Sequence, residues 1–187
     1  MDDFIAELKK YYPLKKDTIS LIKESLTVKN VSKNEILLQK NKISTELFWV
    51  KRGTLRGYIE TDTNLVTTWF AIDHDMVTSV TSFILQQPSK ECIEAIEDSE
   101  LYVISYTNLQ KLYSTFLEMN VIGRLLTEQY YINLEQRAFL LQYATAKERY
   151  EAFIERYPQL LLKIPLGIIA SFLGITQSSL SRIRKTW

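Results

Sequence analysis

Cysteine and histidine are almost missing from this chain of 187 residues, which holds one of each, Cys92 and His74. A lone thiol closes no intramolecular disulfide and holds no iron–sulfur cluster, both of which need further thiolates. A lone imidazole cannot build a cupin-type metal centre, which wants at least two histidines and a carboxylate. Nor does the sequence offer a Ser-His-Asp arrangement, a glycine-rich phosphate loop or paired carboxylates in a supporting context. The expectation is a protein that is not an enzyme and carries no metal. Cys92 reads as a small apolar residue in a strand, and His74 as a solvated loop residue. Apolar runs of the roughly 20 residues that cross a bilayer are also lacking. The opening MDDFIAELKK has no basic-then-apolar order, so a cytoplasmic protein without a membrane partner is expected.

What is present is an ordinary globular composition, 46% hydrophobic and 24% charged, enough to bury one large or two small cores. The net charge of +1 hides an uneven distribution. From Lys163 onward the charges are Lys163, Arg182, Arg184 and Lys185 with no acid, while the remainder carries 19 Lys and Arg against 22 Asp and Glu. A basic end on a slightly acidic body suits contact with nucleic acid at that end.

Periodicity divides the chain. Phe4, Ile5 and Leu8, then Ile19, Ile22 and Leu26, predict a short helical preface broken at Pro13. Short β-branched and aromatic runs follow, at 35–39, 47–51, 55–60, 65–71, 91–96 and 101–105, with turn residues between them. They predict an antiparallel sheet domain with a hairpin turn at Gly53 and a helical insertion near 80–86. From Thr107 the period is helical again, first around Leu109, Leu112 and Phe116, then in one long helix over about 118–142. Such a helix spans domains or pairs with its copy, and Gln129, Asn133 and Gln136 within its stripe suit a paired seam. Thr145 and Glu148 form a T-x-x-E capping box that opens a further helix, ended by Pro158.

The segment IPLGIIASFLGITQSSLSRIRK carries the function. Pro165 suits a first helical turn, Gly174 a left-handed turn between helices, and Thr176 the cap of a second helix. Ala170 admits a close helix crossing. Leu180, Ile183 and Trp187 share one face at i, i+3, i+7, opposite Ser178, Ser181, Arg182 and Lys185. This spacing predicts a helix-turn-helix that binds double-stranded DNA. Gln177, Ser178 and Arg182 are placed to read base edges in the major groove; Thr176, Ser179, Arg184 and Lys185 are placed to meet phosphates or cap the helix.

The strand-rich first part, the long helix and the terminal GITQSSLSRI together resemble the Crp/Fnr superfamily of bacterial regulators, in the short form found in Bacteroidetes. ELFWVKRGTLRGYI resembles that family's hairpin and IEAIEDSELYVIS its last roll strands, so the likeness spans essentially the whole chain. It implies an α+β fold with an N-terminal cyclic-nucleotide-binding-like β-roll over 1–117, a dimerisation helix over 118–143 and a helix-turn-helix domain over 144–187. It also implies a homodimer on a roughly palindromic site, and RNA polymerase as a partner. The family's nucleotide signature needs Gly-Glu for the ribose and Arg-Ser or Arg-Thr for the phosphate. Here Thr78-Ser79 and Ser89-Lys90 stand in those places, and Gln136 and Arg137 stand where base-contacting hydroxyls would lie. These six are the candidate pocket residues, and their identity argues against cyclic nucleotide as the cofactor. A contrasting reading is a small-molecule sensor acting through protein contacts, its pocket lined by Trp49, Tyr58, Trp69, Phe70 and Phe83.

Overall fold

The computed structural model describes residues 1–185. Two amphipathic helices open it, α1 (Asp2–Lys9) and α2 (Lys16–Ser25). Eight strands follow: β1 (Leu26–Val31), β2 (Ile36–Leu38), β3 (Glu46–Arg52), β4 (Leu55–Glu60), β5 (Leu65–Ala71), β6 (Met76–Val77), β7 (Cys92–Ala95) and β8 (Ser99–Ser105), with α3 (Val80–Leu85) inserted after β6. They form two four-stranded antiparallel sheets, ordered β1-β8-β3-β6 and β2-β7-β4-β5.

Period-two alternation gives each sheet two different faces. Phe48, Val50, Leu101 and Val103 of one sheet meet Leu55, Ala71, Ile93 and Ala95 of the other in the interior of the roll. Their neighbours Trp49 and Tyr102 turn outward instead and are covered by Phe4, Ile5 and Leu8 of α1. Both faces of these strands are therefore dry, which accounts for their near-continuous apolar runs. The β3–β4 turn needs glycine: Gly53 has φ +121°, and a Cβ there would fall 2.1 Å from Ser99 Oγ.

After β8 come α4 (Tyr106–Thr115) and the 27-residue α5 (Leu117–Tyr143). Only the start of α5 is buried: Met119 and Ile122 complete the core under α1, and Glu118 accepts a hydrogen bond from Thr18 Oγ1 at 2.5 Å. Further along, Tyr130, Tyr131, Ile132, Leu134, Phe139, Leu141 and Tyr143 are all exposed. The remaining elements are α6 (Ala146–Arg156), a 3-10 turn (Pro158–Leu161), α7 (Leu166–Leu173) and α8 (Gln177–Lys185). Both bonds of the expected Thr145–Glu148 capping box are formed.

Two strands escape the sequence pattern. The chain passes from α2 straight into β1 with no Gly or Pro, Leu26 alone switching to extended backbone at φ −92°, ψ 140°. Leu26 closes the helical spacing begun by Ile19, and pairing with β8 overrides it. The two-residue β6 is too short to show alternation.

Candidate nucleic-acid interface and roll pocket

Helices α7 and α8 are joined at Gly174, which takes the left-handed conformation expected of it, φ 66°, ψ 36°. Buried Ala170 and fully buried Leu180 lie in one apolar cluster with Phe153, Tyr157, Leu160 and Ile169. Pro165 differs from expectation: it precedes α7 as the cap, with extended ψ of 139°, rather than occupying the first turn. Thr176 caps α8 as its position suggests, its hydroxyl accepting the Ser179 N–H at 3.1 Å and meeting the hydroxyls of Ser178 and Ser179 at 3.0 and 2.8 Å.

Gln177, Ser178, Arg182, Arg184 and Lys185 are exposed, whereas Ser179, Ser181 and Ile183 are half-buried. Ser178, Arg182 and Lys185, at i, i+4, i+7, form one stripe of this face. Arg182 Nε reaches back to the Ser178 carbonyl at 3.4 Å. No carboxylate among the described residues pairs with Arg182, Arg184 or Lys185. The basic last turn complements the negative end of the α8 dipole. Trp187, expected on the buried face, lies outside the described residues. Gln177 borders a crevice of about 440 Å³ between α7 and the roll, which Arg56, Leu65 and Ser171 also line.

The helix-turn-helix is seated on the edge strand β5. Phe70 joins Phe153, Tyr157 and Phe172 in an aromatic cluster with centroid separations of 5.0–6.1 Å. The Thr67 N–H, free because β5 is an edge, donates to Ser171 Oγ at 2.8 Å, which removes one orphan donor from the sheet margin. Lys163 Nζ lies 2.9 Å from both Glu97 carboxylate oxygens. Burial alone would push Glu97 up, but the Thr54 hydroxyl and the Lys163 ammonium hold it below the usual carboxylate value.

In the roll, three of the six candidate pocket residues come together beside α3 and hydrogen-bond to the protein itself. Thr78 Oγ1 donates to the Glu46 carbonyl at 2.8 Å and meets Ser44 Oγ at 2.9 Å. The buried Ser79 and Ser89 hydroxyls bond to each other at 2.8 Å, and Ser89 Oγ donates to the Glu91 carbonyl at 2.8 Å. Lys90 and Gln136 are exposed and separate from this group. Arg137 also lies apart from this group, at the end of α7, where its Nη2 donates to the Phe172 carbonyl at 2.9 Å.

Sequence reasoning missed Glu91 and Gly57. Trp69 packs against the roll interior, its Nε1–H donating to Glu91 Oε2 at 3.0 Å. Its indole lies so close over Gly57 that a Cβ there would fall 2.2 Å from the ring. A glycine inside a strand is the signal of such a close approach. Tyr130 of α5 stands close by: burial first, then the negative Glu91, pushes its phenol up. The other aromatic residues proposed for a shared pocket are scattered. Trp49 and Phe83 lie in the core under α1, Tyr58 lies 4.7 Å from the Arg56 guanidinium, and Phe70 faces the helix-turn-helix.

Residues 28–116 match the cyclic nucleotide-binding domain family. No curated protein sequence matches the chain. Solved structures do. FixK2 from Bradyrhizobium japonicum superposes with a TM-score of 0.74 at 20% identity, covering 86% of this chain and 83% of its own. A putative transcriptional regulator of the Crp/Fnr family from Eubacterium rectale gives 0.74 at 22% identity, over 95% and 87%. The c-di-GMP-responsive global regulator CLP of Xanthomonas campestris gives 0.66 at 18%, over 92% and 91%. No helix of the described residues is long and apolar enough to cross a membrane. Residues 28–116 thus match a cyclic nucleotide-binding domain, and the described chain has the fold seen in the Crp/Fnr regulators it superposes on.

Proposed function

We propose that this protein is a homodimeric, sequence-specific DNA-binding transcriptional regulator, not an enzyme, whose β-roll has lost its nucleotide site. The observation that carries the reading is α8: its buried face is anchored by Leu180, its opposite face presents Ser178, Arg182 and Lys185, and Gln177 and Arg184 are exposed at the flanks, none of the three basic residues with a carboxylate partner among the described residues. A helix so faced fits the major groove. Gln177, Ser178 and Arg182 read bases; Ser181, Arg184 and Lys185 contact the backbone, and Thr176 and Ser179 set the helix start.

Three functional units serve this reading: the sensor roll over 1–117, the dimerisation helix over 118–143 and the DNA-binding domain over 144–187. The exposed apolar stretch from Tyr130 to Tyr143 supports pairing of α5 with its copy, which would cover side chains such as Tyr131 and Phe139 that nothing covers in one chain. Two copies present two α8 helices to half-sites about one helical turn apart. In the cytoplasm such a dimer acts on promoter DNA, with RNA polymerase as the partner it helps or hinders.

The roll supports loss of the nucleotide. Thr78, Ser79 and Ser89 are satisfied within the protein, and Glu91, whose carbonyl accepts from Ser89, holds the Trp69 indole with its carboxylate. A carboxylate there would repel a phosphate. The scattered aromatic residues favour no second reading.

The test is DNA selection from a random library, then gel-shift binding at two salt concentrations. The wild type is expected to prefer a sequence and to weaken steeply with salt, and Arg182→Ala to lose most of that preference. Equal binding by both proteins to every sequence would end the proposal.

A further inference from the structure

Arg137 is a half-buried cation without an acid. Burial first, and then the neighbouring Arg149, pulls its guanidinium below the usual arginine value. No carboxylate among the described residues pairs with it. What it has instead is the last turn of α7. Its Nη2 donates to the Phe172 carbonyl at 2.9 Å, and its guanidinium carbon lies 3.8 Å from the Phe172 ring centroid.

This carbonyl is one that the end of a helix leaves over. The turn at Gly174 satisfies the Ala170 and Ser171 carbonyls through the N–H groups of Gly174 and Ile175. Phe172 O, a residue further on, is taken by Arg137. A cation is favoured there by the negative end of the helix dipole and by the face of the ring. Arginine suits the place because its planar fork stacks and donates at once, which an ammonium does not.

Phe172 is also where the molecule's three parts meet. Its ring centroid is 5.0 Å from that of Phe70 on the roll and 5.7 Å from that of Phe153 on α6, while Arg137 comes from α5. The covalent path from α5 to α7 runs through α6 and the 3-10 turn; the Arg137 contact bypasses it.

We propose that Arg137 is a positioning residue for DNA binding, which locks the end of α7, and with it the direction of α8, to the long helix. The proposal rests on the dimeric DNA-binding reading given above. In a dimer the two α8 helices engage both half-sites only if each projects from its own α5 at a fixed angle. A loosened angle costs the gain from the second half-site and leaves the first untouched.

The experiment compares Arg137→Ala with the wild type on a selected DNA carrying two half-sites and on a duplex carrying one, with dimer state and thermal midpoint measured alongside. Affinity for the two-half-site DNA is expected to fall roughly tenfold, within the range that remote residues exert on coupling, with single-half-site affinity at the wild-type level. Phe172→Leu, which keeps the apolar bulk and the carbonyl but removes the ring, guards against simple misfolding and is expected to show a smaller loss in the same sense. Arg137→Lys restores part of the loss. Unchanged two-half-site affinity, or a parallel fall on both DNAs, would overturn the proposal. A wild type that prefers no DNA sequence would instead overturn the DNA-binding reading beneath it, a result visible before any variant is made.

Discussion

The hydroxyls beside α3 and the polar side chains of α8 are of similar kinds but in opposite situations. Thr78, Ser79 and Ser89 are bonded to each other's neighbourhood within the roll, whereas Gln177, Arg184 and Lys185 have no hydrogen-bond partner among the described residues. A buried polar group without a partner costs about 1–3 kcal/mol, so a pocket kept for a ligand leaves donors that the ligand must complete. The roll leaves none in this group. Along α8 water satisfies the exposed groups at no such cost, and DNA can replace it.

Four substitutions or conditions sharpen this contrast. The largest effect is expected from Trp69→Ala, which removes a half-buried indole packed against the roll's interior cluster and should cost about 3 kcal/mol, at the low end for a large aromatic, read as a lowered thermal midpoint. If Trp69 merely blocks a working nucleotide site, this variant will bind cyclic nucleotide in calorimetry; with Glu91 still in place it is expected not to.

Next comes Arg182→Ala, expected to weaken binding to the preferred DNA by about 1–3 kcal/mol, roughly 5- to 150-fold, with the thermal midpoint unchanged because the side chain is exposed. Ser79→Ala should then cost about 1 kcal/mol in chemical denaturation, by removing one partner of the buried hydroxyl pair. The Ser79→Ala, Ser89→Ala double variant should cost less than the sum of the two single changes. Additive losses would mean that the hydroxyls are not paired in solution.

The smallest effect concerns pH. The Glu97 carboxyl sits below its ordinary value of 4.5, held there by the Thr54 hydroxyl and then by Lys163, so these contacts contribute stability above that pH. This contribution is lost as pH falls through the lower, folded-state value. Because the pair is partly exposed the change is small. Between pH 6 and 3 the wild type should lose slightly more thermal stability than Glu97→Gln, and identical profiles would remove the pair from the account.

Much of this was legible in the sequence where local chemistry decides the outcome. Gly53, Gly174, Thr176 and the Thr145–Glu148 box each announce a backbone requirement that the structure meets. The strands at 55–60 and 65–71 begin and end where the β-branched and aromatic runs do. What long-range pairing decides was not legible. β1 exists because β8 does, and the pattern of α5 shows the position of Arg137 along the helix but not its direction around it. A helix turns about 100° per residue, and only the folded placement of the end of α7 beside α5 shows which way Arg137 faces. Glu91 and Gly57 were missed for the same reason: their importance lies in Trp69, which reaches both from the neighbouring strand.

The most direct test of the central claim is fluorescence anisotropy of the wild-type protein on its selected DNA, titrated with and without millimolar cyclic AMP or cyclic GMP. The account predicts tight, salt-sensitive binding that neither nucleotide changes. A shift of affinity by either nucleotide would contradict it, because ligand and DNA would then be coupled through a working nucleotide site in the roll.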